Sequence, residues 1–158
     1  MKSESPIEIS SINGNYFATF HTKLEDILEL LSSKDDAYIL IDQQISLKYK
    51  AIMSVLSGDR YFILESTEEN KSLRKVAEVA EWMMNCGATK TSHLIGIGGG
   101  VVQDLATFVS HIYHRGINWT FVPTTLLSQA DSCMGYFSTG HLNNNCCSGS
   151  GPVTCFAF

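Results

Sequence analysis

The segment Gly96-Ile-Gly-Gly-Gly-Val-Val-Gln-Asp104 limits what this chain can fold into more than any other. An apolar run, His93 to Ile97, enters the glycines, and a helically periodic run, Val101 to Tyr113, leaves them. The segment therefore reads as a strand turning tightly into a helix. Glycines at such a turn let a backbone come close to a phosphate group at a helix start. The pattern departs from the dinucleotide fingerprint, because Val101 stands where a third spaced glycine belongs, and it is no P-loop, because no Gly-Lys-Ser/Thr follows. Close helix packing also demands glycine. Glycine content by itself leaves both readings standing.

The flanking sequence builds a frame around that turn. Ile7 to Phe20 reads as a β-hairpin about Asn13-Gly14. Lys23 to Leu31 carries Leu24, Ile27, Leu28 and Leu31 on one helical face. Ala37 to Ile41 is a short apolar run ending in Asp42, the mark of a buried parallel strand. Leu47 to Leu56 predicts a helix, Tyr61 to Leu64 a strand, and residues 72–86 a helix that Gly87 ends in a left-handed cap. Trp119 to Val122 is the last strand, stopped by Pro123. Alternating strands and helices predict an α/β fold, a Rossmann-like parallel sheet covered on both faces, with an amino-terminal hairpin. Such folds bind ligands at the carboxyl ends of their strands, where Asp42, Gly98–Gly100 and Thr124–Thr125 all fall.

Composition narrows the partners. With 158 residues of which 44% are hydrophobic, the chain can build one core. A net charge of −5 argues against a nucleic-acid partner. No apolar run is long enough to cross a bilayer, and the start lacks a secretory segment, so a cytoplasmic location without a membrane partner is expected. Cys86 and Cys133 look like scattered thiols of a reduced compartment. Cys146, Cys147 and Cys155 lie near His141 in a spacing that fits no zinc pattern, so no metal ligand is assigned.

Each polar residue of the frame has a bland reading as well. Asp104 suits a ribose hydroxyl or simply the positive end of its helix. Thr124 and Thr125 suit a ligand or a helix cap. Asp131 and Ser132 follow on a mostly apolar stretch, where an acid is costly without a partner or ligand. The planar fork of Arg115 suits a phosphate or carboxylate, or the carbonyls at the end of its own helix. His111 and His114, three apart, make a weak metal case.

Together the segments are more specific. Gly98-Gly-Gly-Val-Val-Gln-Asp-Leu-Ala-Thr-Phe-Val, then Arg115-Gly, then Val122-Pro-Thr-Thr-Leu-Leu-Ser-Gln-Ala-Asp-Ser-Cys-Met-Gly135, resembles the 3-dehydroquinate synthase family and the related sugar-phosphate cyclases. Glu68 and Lys71 match the family's Gly-Glu-x-x-Lys-Ser element, with Thr67 in place of its glycine, and Gln44 replaces a more usual Asn after Asp42. The resemblance implies an NAD-binding domain over residues 1–135. It implies that Asp42, Glu68 and Lys71 contact the adenosine part and that Gly99, Gly100 and Val101 cover the pyrophosphate with backbone amides. Asp104, Thr124, Thr125, Leu127, Asp131 and Ser132 would complete the cofactor site. Arg115 matches an arginine that reaches a sugar-phosphate substrate across a homodimer interface. The implied reaction, of the shikimate pathway to aromatic amino acids or a related route, oxidises a substrate alcohol with NAD and eliminates phosphate. It then returns the hydride and closes a carbocycle by an aldol step, with zinc or cobalt as Lewis acid.

After Gly135 the resemblance breaks. Tyr136-Phe137-Ser138 replaces the family's Gly-Lys-Thr, so Phe137 stands where a lysine is expected. Residues 136–158 hold no Lys, Arg, Asp or Glu and show no periodicity, which leads to the expectation of an aberrant or disordered tail. The family's second, helical domain, which supplies the metal ligands, is absent from the sequence. The chain is accordingly expected to be truncated and inactive alone. Two other readings stand beside this one: a fragment of an NAD- and metal-dependent polyol-phosphate or alcohol dehydrogenase, and a non-catalytic nucleotide-binding module.

Overall fold

The computed structural model describes residues 7–11, 14–19, 24–33, 36–56 and 58–130. Strands β1 (Ile7–Ser11) and β2 (Gly14–Ala18) form an antiparallel hairpin. Ser11 pairs with Gly14, so Gly14 opens the return strand rather than completing the turn, one residue off the sequence expectation. A four-stranded parallel sheet follows, in the spatial order β4 (Tyr61–Leu64), β3 (Ala37–Asp42), β5 (His93–Gly98), β6 (Asn118–Pro123).

Both faces of the sheet are covered, as the alternation of strands and helices predicts. Helices α1 (Leu24–Ser32), α2 (Gln43–Lys48) and α3 (Lys50–Val55) close one face. Ile27, Leu31 and Ile52 there meet Ile39, Ile41, Ile95, Ile97 and Val122 from the strands. Helices α4 (Leu73–Asn85) and α5 (Gly100–Ile112) close the other, packing Val76, Val79, Met83, Val102, Leu105 and Val109 on Leu40, Leu94 and Phe121. β5 lies between two strands and two helical layers, which is why all six of its residues are buried and why its sequence is unbroken by charge.

Local chemistry sets the boundaries. Ser72 caps α4, accepting from the Lys75 amide at 3.3 Å. Gly87 ends it at φ +82°, and the bonds from Ala88 to Met83 O and from Gly87 to Met84 O complete a Schellman motif, as expected for that glycine. The single helix expected over Leu47–Leu56 is instead two. Helix α2 starts at once after β3 because Asp42 caps it, and the chain breaks at Tyr49 (φ −112°, ψ 73°) before α3. Asp42 thus starts a helix four residues earlier than apolar periodicity shows. No helix among the described residues is long and apolar enough to cross a membrane.

Candidate functional site

The registers align Asp42, Leu64, Gly98 and Pro123 along one edge of the sheet, the carboxyl edge of four parallel strands. Gly98 is the tightest point of that edge. A Cβ there would lie 2.5 Å from Val102 Cγ2 and 3.2 Å from Asp42 Cβ, so only a hydrogen lets strand, helix and aspartate meet. The Gly98 carbonyl accepts from the Thr124 amide at 2.9 Å, tying the turn after β5 to the turn after β6. A Cβ on Gly99 would come within 3.0 Å of Thr125 Cγ2, whereas Gly100 faces open space.

Helix α5 begins beneath these glycines with Gly99 as its N-cap and no side-chain cap. Its first amides, on Gly100, Val101 and Val102, therefore have no intrahelical acceptor, and the helix dipole adds positive potential there. That is a site for an anion built from backbone. Gly100 is exposed with nothing within 4 Å of a Cβ, and the two preceding glycines hold the turn in place.

Acidic and basic side chains flank the edge. Asp42 Oδ1 accepts from the amides of Gln44 at 2.7 Å and Ile45 at 3.3 Å, fixing the carboxylate at the end of β3. After β4 a short turn, Glu68–Asn70, carries Glu68 and leads to Lys71. Lys71 Nζ reaches Asp104 Oδ2 at 2.5 Å and Glu68 Oε1 at 3.9 Å. Asp104 is the fifth residue of α5, past the first turn, and its side chain is only 13% exposed. Its partner is Lys71 rather than the helix end. The hydrogen bond to Asp104, more than any other influence, raises the Lys71 pKa, so the lysine is charged throughout the neutral range.

Thr125 caps α6 (Leu126–Ala130), its hydroxyl accepting from the Ser128 amide at 3.2 Å while Ser128 Oγ accepts from the Thr125 amide at 3.3 Å. Both the capping reading and a place on the edge hold for this residue. Sequence reading passed over Ser128, which is buried and sits three residues after Thr125; a Thr-x-x-Ser spacing is a muted form of the capping box. Thr125→Ala is expected to destabilise the chain by about 1 kcal/mol, read from its urea midpoint, with Thr125→Ser retaining most of the cap. Leu126 and Leu127 are exposed (81% and 74%), so Leu127 lies on the edge without packing into the core.

Beside Thr124, between the sheet and α1–α3, is a cavity of about 260 Å³ lined by Ile27, Ile45, Tyr49, Ile52 and Ile97, with Lys48 as its cation. Sequence periodicity places Ile27 on an apolar helix face and Ile97 in a strand, and neither gives a sign of an opening.

Arg115 stands apart. It follows α5 and precedes β6, so it lies at the amino edge of the sheet, opposite the residues above. It is exposed and left-handed (φ 62°), as is His114 (φ 47°), and Gly116 follows at φ 110°. Two non-glycine residues in that region hold strain of order 1–3 kcal/mol each. The fold holds them with a bond from Lys90 Nζ to the His114 carbonyl at 3.3 Å and an edge contact of Tyr113 with His114. Among the described residues no three His, Cys, Asp or Glu side chains converge as a metal-ligand set. Asp131, Ser132, Cys133, His141 and the tail lie outside the described residues.

Comparison with known proteins bears on the family and the fold. The profile of the 3-dehydroquinate synthase N-terminal family matches residues 61–144, from β4 through the glycine turn and beyond Gly135. A 3-dehydroquinate synthase of Clostridium tetani is 36% identical over 108 residues, which cover 66% of this chain and 29% of that protein. The chain thus spans about a third of the length of the curated relatives it matches. Among solved structures, 2-deoxy-scyllo-inosose synthase superposes with a TM-score of 0.73 at 20% identity, over 96% of this chain and 46% of that one. The same enzyme complexed with carbaglucose-6-phosphate, NAD+ and Co2+ gives 0.71 at 20% identity, over 96% of this chain and 45% of that one. At that identity the two structures speak to the fold.

Proposed function

Because this chain belongs to the 3-dehydroquinate synthase N-terminal family, we propose that its carboxyl edge holds NAD as the cofactor of a sugar-phosphate cyclase. The observation that carries the reading is the convergence, on one strand edge, of an uncapped helix start behind three glycines, a fixed carboxylate on the neighbouring strand, and a threonine pair on the other side. In open parallel sheets an acid on the strand beside the glycine turn takes a ribose, and the helix start takes the pyrophosphate.

In this reading the Gly100 and Val101 amides, with Gly99, receive the pyrophosphate. Asp42 presents its carboxylate to the adenosine, with Glu68 and Lys71 at the far wall. Asp104, Thr124, Thr125 and Leu127 line the remainder. NAD, when bound, supplies a reversible hydride acceptor, so that oxidation, phosphate elimination and aldol closure proceed with no net redox change. The chain orients the dinucleotide through these contacts. The described residues build no complete metal set, and no step is assigned to a metal on them.

Arg115, at the opposite edge, faces away from this site and is displayed by strained backbone. It is assigned to the substrate phosphate bound by a second copy, in a homodimer. A cytoplasmic location belongs to the same proposal.

The direct test is NAD binding. NAD at about 100 times its Kd is expected to add about 2.7 kcal/mol of stability, seen as a rise of several degrees in Tm. No shift at millimolar NAD would sink the reading.

A further inference from the structure

The charge around Asp42 is lopsided. Asp42, Glu68 and Asp104 bring three carboxylates to the edge, and Lys71 is the cation among them. That lysine is held: Asp104 takes it at 2.5 Å, and Glu68 stands 3.9 Å away on its own turn. Asp104 is the stronger partner, because its carboxylate is largely out of water and fixed on α5, whereas the Glu68 side chain is mostly exposed. The pair links the turn after β4 with the helix after β5, and β3, which ends in Asp42, lies between those two strands. It therefore joins the two flanks of the strand end that would carry the adenosine ribose.

We infer that Asp104 is a specificity-determining residue: by holding Lys71 it withholds that cation from the end of β3, and so selects a dinucleotide whose adenosine ribose bears no 2′-phosphate. The inference rests on the nucleotide reading above. A bare ribose offers hydroxyls that a carboxylate accepts from, while a 2′-phosphate brings about two further negative charges to a place already net negative. A lysine in reach would offset those charges if it were unpaired. Neutralised by Asp104, it offers the phosphate little, and the remaining carboxylates repel it. Selectivity here comes from an arrangement set against the wrong ligand as much as from contacts to the right one. The backbone amides at the start of α5 serve the pyrophosphate that both dinucleotides share, so they do not discriminate.

Titration calorimetry of the full chain with NAD and with NADP decides this. The wild type is expected to prefer NAD. Asp104→Asn, which keeps shape and removes the charge, is expected to narrow that preference by about tenfold or more, since it both frees Lys71 and removes one repelling charge. Lys71→Gln in the wild-type background is expected to keep or widen the preference for NAD, because it bares the Asp104 carboxylate and adds no cation. Combining the two changes returns the ratio toward wild type. An unchanged ratio in Asp104→Asn with NAD binding retained overturns the inference and leaves the NAD reading intact. So does a Lys71→Gln variant whose preference for NAD narrows by tenfold, which also decides the matter should Asp104→Asn fail to fold. A wild-type chain that binds neither dinucleotide overturns the NAD reading, and this inference with it.

Discussion

An alanine at position 98 is expected to destabilise the chain by about 1–3 kcal/mol and to abolish measurable NAD binding. The added methyl would sit 2.5 Å from Val102 Cγ2 and 2.8 Å from Val102 Cβ. Rotating the valine moves the first atom but leaves the second in place, and Val102 is fully buried beneath the turn, so the backbone between β5 and α5 must give way. That displacement pulls on the Thr124 amide, which donates to the Gly98 carbonyl, and spoils the alignment of the helix-start amides. Gly100→Ala is the control. Nothing lies within 4 Å of a Cβ there, and alanine favours a helix, so stability is expected to hold or rise by up to about 1 kcal/mol while NAD binding falls because the methyl fills the approach to the phosphates. Urea midpoints and NAD titrations on both variants separate the two effects. Undiminished NAD affinity in Gly100→Ala would contradict the placement of the pyrophosphate at this turn.

What sequence made legible was whatever depends on local pattern. The apolar runs of β3, β5 and β6 announce buried parallel strands, and the glycines, Pro123 and Gly87 punctuate them, so the fold and the position of the edge could be drawn in advance. Asp42 was visible as a strand-end acid, but its second role, capping a helix that starts immediately, was hidden because Gln43-Gln44 carries no apolar signal. The partner of Asp104 was hidden for a different reason. Lys71 is 33 residues away by number, on a turn whose position depends on sheet order, and nothing in the spacing of charges along the chain encodes that meeting. The strain at His114 and Arg115 is equally silent in sequence, since neither residue type advertises a left-handed backbone as Gly116 does. Chemistry that arises between elements thus appears only with the fold, while chemistry within one turn can be read beforehand.

Phe121→Ala is expected to cost more stability than any polar change at the edge, about 3–5 kcal/mol, against the 5–15 kcal/mol typical of a whole domain. Phe121 is fully buried on β6, in the layer between the sheet and α4–α5. Its ring packs beside Gly96, close enough that a Cβ on that glycine would lie 3.6 Å from Phe121 Cδ2. Small residues at 96 and Ala106 leave the ring its space, so its removal opens a void that neither neighbour can fill. The loss reaches function through the strand itself, because two residues later β6 ends at Pro123 and delivers Thr124 and Thr125 to the edge. NAD is therefore expected to raise the Tm of Phe121→Ala while leaving it well below wild type, since binding shifts the unfolding equilibrium without refilling the cavity. Urea unfolding with and without NAD measures both terms. A midpoint within error of wild type would mean that β6 does not pack on the α4–α5 layer as described, and the position of the threonine pair would fall with it.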